Sequence, residues 1–138
     1  MSATYISSAL RRLVEERARG RCEYRLIHTA DVYFAHHVDH VIAEKHGGQT
    51  SAENLALSCA ECNLRKGSDI ASLTLTGRLV ALLNPRRQRW SAHFSVNGGT
   101  IEPLTPVGEV TARLLGFNEE TRVEIRQTLA QLKLYPRR

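Results

Sequence analysis

The sequence contains no apolar segment long enough to cross a membrane. None of its stretches approaches the about 20 consecutive apolar residues that span a bilayer. Residues 1–20 lack the apolar centre of a secretory signal peptide. Internal repeats and low-complexity tracts are missing as well. We therefore expect a soluble, cytoplasmic protein with no membrane partner.

Cysteine is scarce and odd in number, since the chain contains only Cys22, Cys59 and Cys62. That count argues against a disulfide framework. The Cys59-x-x-Cys62 spacing is typical of a metal clip or of a redox pair. No thioredoxin-like alternation of strands and helices surrounds the pair, which speaks against the redox interpretation.

The composition is that of a small basic domain. A chain of 138 residues suits one domain over residues 1–138, and an apolar content of 42% allows a modest core. The formal net charge is +5, and the pI is about 9.5. Such a balance favours an anionic partner, of which nucleic acid is the commonest.

Residue patterns divide the domain into a central segment, residues 22–68, and two flanks, residues 1–21 and 69–138. In the first flank, apolar residues at helical spacing predict an amphipathic helix over 4–19, with Ile6, Leu10, Leu13 and Val14 on its apolar face. The central segment predicts a strand over 32–43, a turn at Gly47-Gly48, a second strand over 54–58 and a helix over 60–67.

The C-terminal flank predicts a hairpin followed by two helices, so the expected fold class is α+β. Asn97-Gly98-Gly99, placed between two β-rich runs, is a hairpin signal. The last helix is expected to be capped by Asn118 and to bury Ile125, Leu129 and Leu132. Further expected elements are a strand over 79–83, a short helix with Arg86, Arg87, Arg89 and Trp90, and a helix over 106–115 that ends at Gly116.

The central segment supplies the groups that phosphodiester hydrolysis requires. A neutral histidine can take a proton from water near pH 7, and a divalent metal can neutralise the phosphate and support the leaving oxygen. Asp39 and His40 end the first predicted strand, Asn54 begins the second, and Asn63 and Lys66 share one face of the predicted helix. Adjacent strand residues face opposite sides. Asp39 and His40 therefore serve one site only if the strand bends, or if the phosphate lies between them.

The order and spacing of these residues resemble the HNH endonuclease motif. The matching elements are Cys22, Asp39-His40, Gly47-Gly48, Asn54-Leu55, Cys59-x-x-Cys62-Asn63 and Lys66. The resemblance implies a ββα-metal core with an N-terminal helix and a C-terminal hairpin plus helices around it. It also implies an endonuclease that hydrolyses DNA, above all double-stranded DNA, to 5′-phosphate and 3′-hydroxyl ends.

The same resemblance implies a role for each motif residue. His40 is the general base, and Asp39 and Asn63 hold a divalent metal, Mg²⁺ or Mn²⁺. Asn54 ties the intervening loop together by hydrogen bonds and helps to orient His40. Lys66 matches the basic residue that follows the metal-binding asparagine. Lys66 and Arg65 are the expected phosphate or DNA contacts.

One departure from the family pattern concerns zinc. Many HNH proteins hold a structural zinc with two Cys-x-x-Cys pairs, but here Arg25 stands in place of the fourth cysteine. A closed zinc site needs four ligands. His28 or His36 could join the three cysteines to complete it. Alternatively the zinc is lost, and Cys22, Cys59 and Cys62 are buried core residues.

Other interpretations of the basic residues stay open at this point. A non-catalytic nucleic-acid-binding module on the same scaffold is the main alternative to a nuclease. A zinc-stabilised interaction domain is disfavoured by the missing cysteine and the basic charge. Trp90 either stacks on a base or packs in the core, and core packing is favoured. The arginines on or after the first helix form a solvated face or contact phosphate: Arg11, Arg12, Arg17, Arg19 and Arg21.

Overall fold

The computed structural model describes residues 5–137, a mixture of α-helices and two-stranded antiparallel sheets. This mixture confirms the expected α+β class. Within the described residues, no helix has both the length and the apolar character needed to span a bilayer. The elements are α1 Ser8–Ala18, β1 His37–His40, β2 Leu55–Ser58, α2 Ala60–Lys66, β3 Ala71–Leu73, β4 Leu79–Ala81, β5 Phe94–Asn97, β6 Thr100–Pro103, α3 Pro106–Leu114 and α4 Glu120–Gln131.

Helix α1 packs on the sheet formed by β1 and β2. The Ser7 hydroxyl caps the helix by accepting a hydrogen bond of 3.2 Å from the Leu10 amide, so the helix begins at Ser8. The expected start at Thr4 lies outside the described residues. Leu13 was expected in the core but is 46% exposed, because the sheet covers only one side of the helix. The buried contact consists of Ile6, Val14, Ala18, Leu55 and Leu57.

Strands β1 and β2 pair in antiparallel register, with Asp39 opposite Ala56 and His40 opposite Leu55. The expected strand over 32–43 was too long, because only four residues of β2 are there to pair with it. β2 is buried at every position. The backbone of β2 also bonds to the loop after Cys22, since the Glu23 amide donates to the Leu57 carbonyl at 2.8 Å.

The segment between α2 and the hairpin differs from its prediction in two ways. The expected strand over 79–83 ends at Ala81 and pairs with Ala71–Leu73, a strand that the sequence did not predict. The expected helix around Arg86 is absent from the structure. In its place the Asn84 side chain accepts a hydrogen bond from the Arg86 amide at 2.9 Å, which turns the chain.

The main core lies where β5, β6 and α3 meet the cysteine-bearing segments. Trp90 packs against Phe94 with ring centroids 4.9 Å apart, and its indole Nε1 donates to the Tyr24 carbonyl at 2.8 Å. The favoured core position of Trp90 is therefore confirmed. The other members include Cys22, Ile27, Cys59, Cys62, Leu83, Ile101, Leu115 and Phe117.

Helix α4 does not bury the face that its sequence indicated. Ile125 is 52% exposed and Leu132 is 62% exposed, whereas Arg126 is fully buried. The expected cap is also wrong, because Glu119 occupies the N-cap position. The Asn118 side chain instead accepts from the Ile101 amide at 2.9 Å and donates to the Ile101 carbonyl at 2.8 Å. Asn118 therefore fastens the hairpin to the start of α4.

Candidate active site

The C-terminal end of β1 carries Asp39 and His40, both with half-buried side chains. The His40 Nε2 atom lies 2.8 Å from the Thr50 hydroxyl oxygen. This hydrogen bond anchors the imidazole ring to the loop that follows β1. Within the described chain, His40 Nδ1 makes no hydrogen bond.

The loop between β1 and β2 is held together by Asn54. Its Oδ1 accepts from the Ile42 amide at 3.0 Å, and its Nδ2 donates to the Ile42 carbonyl at 2.9 Å. The same Nδ2 donates to the Gln49 carbonyl at 2.8 Å. A Cβ atom at Gly48 would lie 1.7 Å from the Ile42 carbonyl oxygen, so this close approach requires glycine. Asn54 thus fixes the loop that carries Thr50.

Helix α2 follows β2 directly and packs against β1. It carries Asn63, which is half-buried, and Lys66, which is 2% exposed. The Lys66 ammonium donates to the carbonyl of Val41, the residue after His40, at 2.8 Å. Burial lowers the pKa of Lys66, and the nearby Asp39 carboxylate opposes that shift. The Lys66 ammonium therefore holds the end of β1 in place. It is buried, so it is not exposed to a phosphate at the surface.

Asp39 and Asn63 carry the other polar side chains of the candidate site. Neither makes a hydrogen bond or an ion pair with any part of the chain that the structure describes. A carboxylate and an amide oxygen are ligands that Mg²⁺ accepts, usually with several waters. The side chains at the end of β1 and on α2 are thus of the chemical types that a hard divalent cation accepts.

Arg65, the other expected phosphate contact, lies on the exposed side of α2. Its guanidinium forms an ion pair with Glu119 at 2.5 Å. The Arg65 side chain keeps 35% of its surface exposed. Arg65 therefore links α2 to the start of α4 while still reaching solvent.

The three cysteines come together in the core. Their sulfur atoms all lie within 4.8 Å of one another, close enough for a metal ion such as zinc to be held among them. Arg25, which replaces the fourth cysteine of the family pattern, is 4% exposed. Its Nε atom donates to Cys59 Sγ at 3.1 Å. The fourth side of the cluster is therefore taken by a guanidinium.

Neither histidine considered for the zinc site reaches the cysteines. The His28 Nδ1 atom accepts from the Ala30 amide at 3.0 Å and caps a short 3₁₀ turn. The His36 Nε2 atom is hydrogen-bonded to the Ile27 carbonyl at 2.9 Å. The alternative that one of them completes a four-ligand set is not met, because among the described residues neither histidine belongs to the group of ligand atoms that lie within 4.8 Å of one another.

The surroundings of the cluster shift the pKa values of its three thiols in different directions. Hydrogen bonds from Cys22 and Cys62, with the charge of Arg25 in addition, lower the pKa of Cys59 well below its ordinary value. Burial, with the Cys59 hydrogen bond in addition, raises the pKa of Cys22 to about 12 and also raises that of Cys62. Burial by itself lowers the pKa of Arg25, but the three cysteines together outweigh this effect and raise it. The Arg25 guanidinium and the Cys59 sulfur therefore lie in direct hydrogen-bond contact inside the core.

Several arginines of the basic regions have structural partners. On α1, Arg17 donates to the Ala52 carbonyl at 2.9 Å and to the Leu55 carbonyl at 2.7 Å, which binds the helix to the start of β2. Arg86 forms a close ion pair with Glu23. The arginines left exposed without such partners include Arg11, Arg12, Arg19, Arg87 and Arg89.

Two residues of interest were not singled out by the sequence. Thr50 lies between the glycine turn and Asn54, and a threonine in a polar loop gives no signal of its own. Arg25 was noted only as a missing cysteine, although its position in the motif could have pointed to the cysteine cluster. Both acquire partners only through tertiary contacts.

Comparison with known proteins supports the motif assignment. Residues 20–69 match the family described as HNH endonuclease, and the resemblance seen in the sequence is confirmed for this segment. No curated protein and no solved structure matches the chain. The mixture of helices and small antiparallel sheets is consistent with the HNH family.

The match over the HNH segment suggests a class of function. Proteins of this family are usually nucleases, use divalent metals and bind nucleic acid, so the match indicates a nuclease-type or nucleic-acid-binding function. The matched residues run from the loop before Cys22 to just beyond α2, and they include Asp39, His40, Asn54 and Asn63.

Proposed function

We propose that the protein is a metal-dependent endonuclease that hydrolyses the phosphodiester bonds of double-stranded DNA. The observation that supports this most is the state of His40. Its Nε2 atom is held by Thr50 and its Nδ1 atom is unengaged. Within residues 5–137, neither the carboxylate of the preceding residue, Asp39, nor the amide of Asn63 makes a hydrogen bond or an ion pair. A pure binding module has no need of such a set.

In the proposed mechanism His40 acts as the general base. Its Nε2–H donates to the Thr50 hydroxyl, which leaves the lone pair of Nδ1 to accept a proton from a water molecule. The water oxygen forms a bond to phosphorus as the bond to the 3′ oxygen breaks. The products are a 5′-phosphate and a 3′-hydroxyl, as in the family that the segment matches. A positioned base of this kind contributes roughly a hundredfold to ten-thousandfold to a rate.

Asp39 and Asn63 are the proposed metal ligands. A bound Mg²⁺ or Mn²⁺ supplies positive charge for the phosphate and for the leaving oxygen. Lys66 holds the carbonyl of Val41 and so keeps the end of β1 in place. Arg65 is proposed as the phosphate contact, because its guanidinium lies at the surface of α2 and only an exposed glutamate, Glu119, competes for it.

Cleavage of supercoiled plasmid tests this proposal directly. The purified protein is incubated with Mg²⁺, with Mn²⁺ or with EDTA, beside the His40→Ala variant. We expect metal-dependent nicking or linearisation that is reduced at least about a hundredfold in the variant, since the base is lost. DNA affinity, measured by fluorescence anisotropy, should stay nearly unchanged.

His37→Ala is the matched control for that experiment. His37 lies on the same strand, is exposed, and makes no side-chain hydrogen bond within residues 5–137. We expect this variant to cut like the wild type. Full activity in His40→Ala would refute the assignment of the base. DNA binding by the wild type without cleavage under any divalent ion would favour the non-catalytic binding module.

A further inference from the structure

The core cluster around the cysteines offers three metal ligands and no fourth. Among residues 5–137, the group that could hold a metal contains Cys22, Cys59 and Cys62 and no histidine or carboxylate. A closed structural zinc site takes four ligands in a tetrahedron. Solvent cannot easily supply the fourth, because the exposed fraction of each cysteine is 1% or less.

The remaining side of the cluster is filled by Arg25. Its Nε atom lies 3.1 Å from Cys59 Sγ, and the residue is 4% exposed. A guanidinium has five N–H donors, has no acceptor atom and keeps its positive charge in proteins. It therefore cannot be a zinc ligand, and its charge repels a cation placed beside it. The residues present do not fit a structural zinc.

We propose that Arg25 takes the place of zinc in this protein. The guanidinium and the three cysteines form a closed, metal-free cluster that fastens the loop after Cys22 to helix α2. Cys59 is the junction, because its sulfur accepts both from Arg25 Nε and, at 3.4 Å, from the Cys62 amide at the start of the helix. This inference concerns how the HNH segment is held together and does not depend on the nuclease activity.

Further contacts fix Arg25 in this position. Its backbone carbonyl accepts from the Tyr135 hydroxyl at 2.7 Å, a buried hydrogen bond to the C-terminal segment. Its guanidinium lies 3.7 Å from Glu61 on α2. Arg25 therefore bridges the loop, the helix and the C-terminal segment, a connecting role that the family's zinc would otherwise share.

Metal content and thermal melting test the proposal on the full chain. The protein is produced in zinc-supplemented medium, and its zinc is measured by inductively coupled plasma mass spectrometry. We expect far less than one zinc per chain and the same melting temperature with or without a strong chelator. One tightly held zinc per chain, together with a melting temperature that falls on chelation, would overturn the proposal.

Two substitutions at Arg25 give opposite expectations. Arg25→Cys restores a four-cysteine set and should bind one zinc per chain, with a melting temperature that becomes sensitive to chelator. Arg25→Met removes the guanidinium without adding a ligand, so it should bind no zinc. Its melting temperature should fall on the order of 10 °C, because the buried Cys59 sulfur loses its hydrogen-bond donor.

The matched control is Arg87→Met, the same change at an exposed arginine that has no side-chain partner among residues 5–137. It should melt like the wild type and remain free of zinc. Should Arg25→Met fail to fold, the zinc content of Arg25→Cys still decides the question. A failure of Arg25→Cys to take up zinc would contradict the placement of Arg25 at the fourth ligand position.

Discussion

At the scale of single residues, the candidate site depends on one hydroxyl group. The sequence marks His40 through its place in the motif, but the ring orientation is set by Thr50, whose hydroxyl lies 2.8 Å from His40 Nε2. Thr50 itself is held in a loop that Asn54 ties together. The loop can close only because Gly48 has no Cβ. In the proposed mechanism, Thr50 is thus a positioning residue that acts through His40.

We predict that Thr50→Val lowers the kcat for plasmid cleavage by roughly tenfold to a hundredfold, a part of what the base contributes. Valine keeps the shape of threonine but cannot hold the imidazole ring. The KM for DNA and the melting temperature should change little. Thr50→Ser retains the hydroxyl and should restore most of the rate. An equal loss in the serine and valine variants would show that the hydroxyl is not what matters.

At the scale of elements, helix α4 buries a charge where its sequence suggested an apolar face. Arg126 is fully buried, donates to the Gly99 carbonyl at 2.8 Å and binds the Phe117 carbonyl by a short hydrogen bond. Burial lowers its pKa, and the nearby Tyr135 opposes that shift. The partners of Arg126, the carbonyl groups of Gly99 and Phe117, lie outside α4. The burial of Arg126 could therefore not be predicted from the periodicity of α4 alone.

We predict that Arg126→Met destabilises the protein by about 2–4 kcal/mol, since two buried carbonyl groups lose their donor. The exposed neighbour Ile125 gives the contrasting case. Ile125→Ala should change the free energy of unfolding by less than about 0.5 kcal/mol. Urea denaturation of both variants measures these differences. A larger effect at Ile125 than at Arg126 would contradict the described packing of α4.

At the scale of the whole molecule, the C-terminal segment closes on the loops of the HNH segment. The Arg137 guanidinium makes two hydrogen bonds to the Asp31 carboxylate, at 2.9 and 2.8 Å. The Arg137 carbonyl accepts from Arg21 at 2.9 Å, and Tyr135 reaches the Arg25 carbonyl. Residues far apart in the chain thus hold the N-terminal part of the HNH segment.

The ion pair between Asp31 and Arg137 should stabilise the fold less as the pH falls. Hydrogen bonds from Arg137, with its charge in addition, hold the pKa of Asp31 below its ordinary value, although burial opposes the shift. A carboxyl group with a lowered pKa in the folded state stabilises that state above its unfolded pKa of about 3.9, and the stabilisation is lost as the pH falls further. The Asp31–Arg137 pair therefore contributes fully near neutral pH and fades below about pH 4.

We predict that Asp31→Asn melts at a lower temperature than the wild type at pH 6, and that the difference shrinks as the pH falls below about 4. Thermal melts followed by circular dichroism across this range measure it. Glu124→Gln, at an exposed glutamate without a side-chain partner within residues 5–137, is the control and should follow the wild type. A difference between Asp31→Asn and wild type that stayed constant down to pH 2 would rule out this linkage.

Much of the local architecture could be predicted because it depends on neighbours in sequence. The glycine turn before Asn54, helix α2 and the hairpin at Asn97 follow from short-range turn and capping preferences. The length of β1 could not be predicted, since a strand extends only as far as its partner pairs with it. Strand β3 was missed for the same reason, because its partner β4 decides whether it forms.

The sequence by itself determined that residues 20–69 form an HNH segment, because the HNH motif specifies residue types at short, fixed spacings. The tertiary structure alone decided which neighbour each motif residue has. It brought the Thr50 hydroxyl to His40 Nε2, directed the Lys66 ammonium to the Val41 carbonyl and placed Arg25 Nε against Cys59 Sγ. The physical reason is that a buried polar group must find a partner wherever the packed chain offers one. The partners that it finds come from the fold and leave no periodic trace in the sequence.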